Sequence, residues 1–146
     1  MTAAENKAVI DRFNVALNEG NLDVIDAIFD PNFIGHSTLS PEPIRGPGEY
    51  KAFLAAFYRA MPDLRYPHWT LIAEGDLVVI HMPAEGTFTS ELMGIPPNGK
   101  KMSVWMANVW RFADGKIVEW WLNMDTLGLM QQLGAIPPMG LSGEQP

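Results

Sequence analysis

The sequence of 146 residues contains no cysteine. Disulfides, thiolate metal sites and a thiol nucleophile are therefore excluded from its chemistry. The sequence also has no run close to the roughly 20 apolar residues that a membrane-spanning helix needs. The N-terminal stretch is short and polar and lacks the pattern of a signal peptide. We therefore expect a cytoplasmic protein that has no membrane partner.

Positive charge is scarce and scattered, with 10 Lys and Arg against 17 Asp and Glu and a net charge of −7. Phosphate binding needs a basic stripe, so a nucleic-acid partner is not expected. The glycine motifs of nucleotide-binding loops, the serine-hydrolase elbow and the zinc motif HExxH are all missing. The three histidines have no local metal-binding spacing, and no metal site is predicted.

The first 62 residues predict three helices. Thr2 and Glu5 have the spacing of a capping box, and apolar residues recur at helical spacing until Gly20, which is suited to end a helix. A second, short helix is expected to end before the Asp30–Pro31 pair. Residues 31–48 read as a loop, and Pro47 is suited to the first turn of a third helix.

After Pro62 the apolar period changes from that of a helix to that of a strand. The expected strands are residues 66–73, 77–82, 84–89, 101–112 and 117–123, with a bulge at Pro83. Asp114-Gly115 predicts a tight hairpin turn. Helices followed by an antiparallel sheet favour an α+β fold. We expect one domain over residues 1–139 and a disordered tail over residues 140–146.

Asp125 is the first candidate for chemistry because it is a carboxylate between apolar segments. Burial would raise its pKa, and a base poised nearer neutrality suits abstraction of a C–H proton. The alternative is that Asp125 caps a short helix over residues 127–133. His36 is a second candidate, because a neutral imidazole can donate or accept a proton near pH 7; the alternative is a loop histidine without a role.

Five tryptophans and nine methionines indicate a soft apolar pocket that can hold a flat ligand. Strand alternation places Met106, Asn108 and Trp110 on one face of the long strand. The residues expected to bind the ligand are Asn108, Met106, Trp110, Trp121, Phe33, Met82 and Phe57.

Several short segments, in this order, resemble one known family over residues 5–137. They include Asn18–Asp23, Met61–Leu64, Met93–Pro97 and Asp125–Gly134. Each segment alone is weak, but the ordered series is similar to the SnoaL-like polyketide cyclase (ester cyclase) family of the NTF2-like superfamily.

This resemblance implies an NTF2-like cone, in which a curved antiparallel sheet of four to six strands packs against three N-terminal helices around one apolar pocket. It also implies a homodimer or homotetramer formed through the sheet, and no cofactor. Characterised cyclases of the family close a ring by intramolecular aldol condensation. The aspartate that acts as their acid and base corresponds to Asp125, with His36 assisting here. The expected function is cyclase-type acid–base chemistry on a small hydrophobic carbonyl compound.

A second hypothesis is a protein that binds a hydrophobic small molecule without converting it. Family members often carry ionisable residues where this chain has Phe88, Trp120 and Asn108. The two hypotheses differ in one outcome: only the enzyme would lose turnover when Asp125 is replaced by asparagine.

Overall fold

The computed structural model describes residues 1–139, which form an α+β fold with one curved sheet. The helices are α1 (Ala3–Asn18), α2 (Val24–Ile28), α3 (Gly46–Ala60) and α4 (Thr126–Leu133). The strands are β1 (Phe29–His36), β2 (Ile44–Arg45), β3 (Thr70–Glu74), β4 (Leu77–Thr87), β5 (Lys101–Ala113) and β6 (Lys116–Met124). The predicted fold class is confirmed; the predicted tail, residues 140–146, lies outside the described residues.

The sheet has the strand order β2-β1-β6-β5-β4-β3. All neighbouring strands are antiparallel except β1 and β6, which run parallel. The inner face of the sheet turns toward the helices, and its buried residues on β5 include Val104, Asn108 and Trp110. The outer face carries exposed side chains, among them Ile72 and Trp105.

Helix α1 begins as predicted, with a capping box. Thr2 Oγ1 accepts from the backbone N–H of Glu5 at 3.1 Å, and Glu5 Oε1 accepts from the N–H of Thr2 at 3.3 Å. The chain leaves the helix through Gly20, whose φ of 72° suits glycine. The buried face of α1 includes Ile10 and Phe13, but it also includes a polar residue, Asn14.

Residues 31–48 are not simply a loop, and this prediction is wrong. The second helix ends before Pro31 as expected, but β1 already begins at Phe29. Its register against β6 shifts between Phe29 and Ile34, which accommodates a proline that has no N–H to donate. Strand β1 is held by parallel pairing with a strand some 80 residues later in the chain, and local sequence carries no signal for that partner.

The bulge predicted at Pro83 is also wrong. Strand β4 pairs with β5 without interruption, and Pro83 lies opposite Trp105. On its other side, β3 pairing stops at Thr70 opposite His81, and the next backbone pair is Arg65 with Glu85. Pro83 lies between these two pairs, where no neighbouring carbonyl needs its missing N–H.

A bulge occurs instead in β6. Arg111 pairs with Glu119 and Phe112 pairs with Ile117, so Val118 is an extra residue. An extra residue moves the following side chains to the opposite face. Trp120 therefore joins Ile117 on the inner face, and Trp121 is on the outer face.

An aromatic cluster fills the space between β1, α1, α3 and the sheet. Phe29 is at its centre, with ring centroids 4.7 Å from Phe33 and 4.9 Å from Tyr50. Trp110 and Trp120 stack with centroids 5.5 Å apart. Edge-to-face and offset pairs of this kind add to the stabilisation that area burial provides. The cluster fixes one wall of the cavity described below.

Candidate functional site

The inner face of the sheet and helices α1, α3 and α4 enclose an apolar cavity. The space open to the centre of a water molecule is about 60 Å³. One water needs roughly 10–15 Å³, so the cavity as it stands has room for a few waters. Its wall is formed mainly by aliphatic, aromatic and methionine side chains.

Most of the predicted ligand-binding residues lie on this wall. They are Asn108, Met106, Trp110, Met82 and Phe57. Phe33 does not: it is fully buried in the aromatic cluster behind the wall. Trp121 does not either, because the bulge in β6 turns it to the outer face, where its ring stacks on His36. Trp120 takes the position on the wall that was predicted for Trp121.

Two buried amides are the main polar groups of the cavity. Asn108 is 5% exposed, and its Oδ1 accepts from Trp120 Nε1 at 3.0 Å. Among the described residues, the one hydrogen-bond acceptor of Asn108 Nδ2 is Met106 Sδ, at 3.6 Å. Asn14 is 3% exposed and its Nδ2 donates to Met82 Sδ at 3.4 Å. Thioether sulfur is a weak acceptor, so both amides keep hydrogen-bonding capacity for a ligand.

The cavity wall carries no charge. Among the described residues that line it there is no Asp, Glu, His, Lys or Arg. Its titratable groups are the hydroxyls of Tyr50 and Tyr66, and burial raises the pKa of both well above the usual value of tyrosine. Both are neutral at physiological pH, so a ligand would meet only neutral dipoles on this wall.

Asp125 lies at the junction of β6 and α4. Its Oδ1 accepts from the N–H of Gly128 at 2.9 Å, so it caps α4, and its side chain is exposed. The expected desolvation of this carboxylate is therefore wrong, and the helix cap is confirmed. Its chain neighbours Met124 and Leu129 both line the cavity. Asp125 itself does not line the cavity.

His36 lies at the end of β1 on the outer face. Its Nε2 is 2.8 Å from Glu119 Oε2, and Arg111 Nη2 donates to the other oxygen of Glu119 at 2.9 Å. The hydrogen bonds from His36 and Arg111 lower the pKa of Glu119. His36 does not line the cavity, and among the described residues no hydrogen bond joins it to Asp125. Among residues 1–139 no three potential His, Asp or Glu ligands cluster as a metal site would require.

Comparison with known proteins identifies the family. A family model described as SnoaL-like polyketide cyclase matches residues 7–133. The chain belongs to this family. Within it, the chain is 27% identical over 121 residues to nogalonic acid methyl ester cyclase of Streptomyces nogalater, covering 82% of this chain and 90% of that protein.

Solved structures agree with the SnoaL-like assignment. TsrD of Streptomyces laurentii superposes with a TM-score of 0.80 at 29% identity, covering 93% of this chain and 99% of that one. AclR, a proposed hydroxylase of Streptomyces galilaeus, has a TM-score of 0.82 at 27% identity, covering 93% and 100%. IdmH, a proposed polyketide cyclase of Streptomyces antibioticus, has a TM-score of 0.75 at 28% identity, covering 88% and 98%.

Asn14 is the functional candidate that the sequence prediction missed in this SnoaL-like protein. It lies four residues after Ile10 and therefore on the buried stripe of α1. A polar residue within an apolar stripe was a usable signal, because burying an amide is costly unless it has a partner. Trp120 was missed for a different reason, since the bulge that turns it inward is not visible in the local pattern.

We expect Gly128→Ala to displace the Asp125 carboxylate and destabilise α4. A Cβ at position 128 would collide with that carboxylate, because it would lie only 2.6 Å from Asp125 Cγ. Loss of an N-cap costs about 1 kcal/mol, which urea unfolding would measure. Gly48→Ala is the matched control: Gly48 is also helical, and nothing lies within 4 Å of its added Cβ. Equal stability of the two variants would contradict the role of Gly128.

Within the described part of the chain, no helix combines the length and apolar character needed to cross a membrane.

Proposed function

We propose that this SnoaL-like protein is a cofactor-independent enzyme of the cyclase type that acts on a small hydrophobic carbonyl compound. The observation that carries the proposal is the placement of Asp125 between Met124 and Leu129, two residues of the cavity wall. A ligand that fills the cavity and extends outward past these two residues would bring its reactive carbon to the carboxylate. The likeness to nogalonic acid methyl ester cyclase supports the cyclase class.

In the proposed reaction the apolar skeleton of the substrate occupies the cavity, and Asn108 donates its Nδ2 proton to a carbonyl oxygen. A neutral donor fixed in an apolar site stabilises the developing enolate more than water would. The Asp125 carboxylate removes the proton from the carbon beside that carbonyl. The enolate carbon then bonds to a second carbonyl carbon, and the alkoxide formed there takes the proton back from Asp125.

The size of the cavity favours a compact substrate. About 60 Å³ of space open to water centres is less than the roughly 150 Å³ cavity in which benzene binds an engineered protein, so even a substrate with one ring requires movement of the wall. Methionines are the most adaptable part of that wall, because their side chains are unbranched and have several rotatable bonds. Met82, Met106 and Met124 lie in one row across β4, β5 and β6, so the wall can adapt there.

The second candidate function is binding without chemistry. It is favoured by the uncharged cavity wall and by the exposed, helix-capping position of Asp125. In that case the cavity would hold an apolar ligand, and Asp125 would serve only the structure of α4.

Proton exchange on a ketone with activated protons distinguishes an enzyme from a protein that only binds its ligand. Phenylacetone would be incubated with the protein in deuterium oxide, and loss of its benzylic proton signal would be followed by proton NMR. The enzyme is expected to accelerate exchange above the buffer rate in proportion to protein concentration. Saturable binding without any acceleration would favour the binder and contradict the proposed function.

The homodimer or homotetramer that the resemblance implies stays a prediction, and the outer face of the sheet is where we place it. Trp105 is 49% exposed there and packs between His81, at 4.8 Å between ring centroids, and His68, at 5.7 Å. A half-exposed tryptophan is a frequent anchor of interfaces, and truncating an anchor costs about 2 kcal/mol or more. We expect Trp105→Lys to weaken self-association at least about tenfold in sedimentation equilibrium.

Val15→Lys is the control for this experiment. Val15 is also exposed and apolar, but it lies on helix α1 rather than on the sheet. If Val15→Lys and Trp105→Lys changed the association constant equally, the outer face would not be the interface.

A further inference from the structure

In each of the two buried amides, Asn14 and Asn108, one polar atom already has a hydrogen-bond partner in the protein. The partner identifies that atom as oxygen or nitrogen, and so shows whether the other atom offers a ligand a donor or an acceptor. The indole N–H of Trp120 can only donate, so the Asn108 atom that faces it, at 3.0 Å, is the oxygen. Asn108 Nδ2 then points the other way, with the Met106 sulfur at 3.6 Å as its one partner among residues 1–139. Asn108 therefore offers a hydrogen-bond donor to the cavity.

Asn14 has the opposite polarity. The Met82 sulfur can only accept, so the Asn14 atom 3.4 Å from it is the nitrogen. No residue among 1–139 donates to Asn14 Oδ1, yet this oxygen is not among the fully buried unpaired atoms. Since Asn14 lines the cavity and is otherwise 3% exposed, the remaining surface of Oδ1 faces the cavity. Asn14 therefore offers a hydrogen-bond acceptor.

The two amides address the same patch of the cavity. Met82 and Met106 lie directly opposite each other on β4 and β5, and directly opposed Cβ atoms are about 4.5–5.5 Å apart. The sulfur of Met82 accepts a hydrogen bond from Asn14, and the sulfur of Met106 accepts one from Asn108. A single small ligand lying over this methionine pair can reach both amides, provided that its acceptor and donor are only a few bonds apart.

We propose that Asn14 and Asn108 form a two-point clamp for a compact apolar hydroxyketone, whose carbonyl accepts from Asn108 Nδ2 and whose hydroxyl donates to Asn14 Oδ1. The clamp deepens the proposed function by naming the ligand class of the same cavity. A β-hydroxyketone places the two groups at a suitable separation, and it is the kind of product that an aldol ring closure forms. Asn14 is then a specificity-determining residue.

Three probes that share one skeleton separate the two contacts. β-Hydroxypropiophenone offers both the carbonyl and the hydroxyl, propiophenone offers only the carbonyl, and propylbenzene offers neither. Dissociation constants would be measured by NMR on isotope-labelled methionine methyl groups. The Met82 and Met106 signals would be assigned with Met82→Leu and Met106→Leu.

We expect Asn14→Leu to weaken binding of β-hydroxypropiophenone about fivefold to tenfold, the effect of one hydrogen bond. Binding of propiophenone should stay within twofold of the wild type, because that ligand does not use Asn14. In the wild-type protein, propiophenone should shift the Met106 methyl signal, and β-hydroxypropiophenone should shift both Met106 and Met82. This second measurement needs no variant and stands if Asn14→Leu fails to fold.

Three results would overturn the clamp. They are an equal loss of affinity for both ketones in Asn14→Leu, an equal response of the Met82 methyl to both ketones, and a lack of saturable binding by all three probes. The clamp and the catalytic proposal fail separately. Asn14-dependent binding without proton exchange on phenylacetone would leave a binder with its clamp intact. Proton exchange on phenylacetone without Asn14-dependent binding would support the proposed enzyme and reject the clamp.

Discussion

Asp125→Asn is expected to lower the rate of proton exchange on phenylacetone at least about 100-fold while the protein stays folded. A positioned acid–base group contributes roughly 10²–10⁴-fold to such a step, and an amide cannot take the proton. The substitution is well suited to the question because Asp125 also caps α4. Asparagine caps a helix about as well as aspartate, so only the carboxylate chemistry is removed.

Two further variants separate catalysis from capping. Asp125→Ser also keeps an N-cap side chain and should lose activity like Asp125→Asn, whereas Asp125→Ala should additionally lose about 1 kcal/mol of stability. Glu119→Gln is the matched control on the outer face. It removes a carboxylate that is bound to His36 and Arg111 and does not line the cavity. Retention of more than half of the wild-type exchange rate in Asp125→Asn would reject the catalytic role and leave the binding function.

The exposure of Asp125 decides what kind of catalyst it can be. In the structure its side chain is exposed to solvent and accepts one backbone hydrogen bond. An exposed carboxylate is a weak base, so it is better matched to an activated carbon acid, such as the benzylic position of phenylacetone, than to an unactivated ketone. A ligand that covers Asp125 would also exclude water from the carboxylate and the reacting carbon. The chemistry therefore depends on the substrate more than it would at a deeply buried base.

Sequence could predict the parts of the fold that depend on local rules. The capping box at Thr2, the left-handed Gly20 and the Asp114-Gly115 hairpin are each determined within a few residues. The inner face of β5, with Asn108, followed from strict alternation over a long strand. Each of these features was predicted and is present in the structure.

Two of the failures have a common physical origin in pairing between distant segments. The bulge in β6 exists only relative to β5, and because Trp120 and Trp121 are both aromatic the local pattern cannot say which one turns inward. Strand β1 is recognisable only through its parallel pairing with β6. Asp125 was expected to be desolvated because it lies between apolar segments. Instead, the free N–H of Gly128 in the first turn of α4 donates to its carboxylate, which stays exposed.

The largest loss of stability is expected from Phe29→Ala. Phe29 is 2% exposed, and its ring lies within 6 Å of Phe13, Phe33, Tyr50 and Trp110. Removal of a buried phenylalanine costs about 3–5 kcal/mol, which is a large part of the 5–15 kcal/mol that typically stabilises a domain. Urea unfolding followed by far-UV circular dichroism would measure the loss.

Phe57→Ala is the control for Phe29→Ala. Phe57 is only partly buried and lines the cavity, so the space left by its ring joins an existing cavity and its loss should cost clearly less. A loss below about 1.5 kcal/mol for Phe29→Ala, or one no larger than that of Phe57→Ala, would contradict the central place of Phe29 in the cluster.

The Phe29 variant also links the packing to the cavity. Phe13, Tyr50 and Trp110 contact Phe29 on one side and line the cavity on the other. When the Phe29 ring is removed, these three side chains can relax away from the cavity into the space it leaves. We therefore expect Phe29→Ala to weaken binding of propylbenzene, which relies on apolar contact alone, although Phe29 itself does not line the cavity. Phe29, which lies just before the predicted helix end at Asp30-Pro31, thus shapes the binding site from behind its wall.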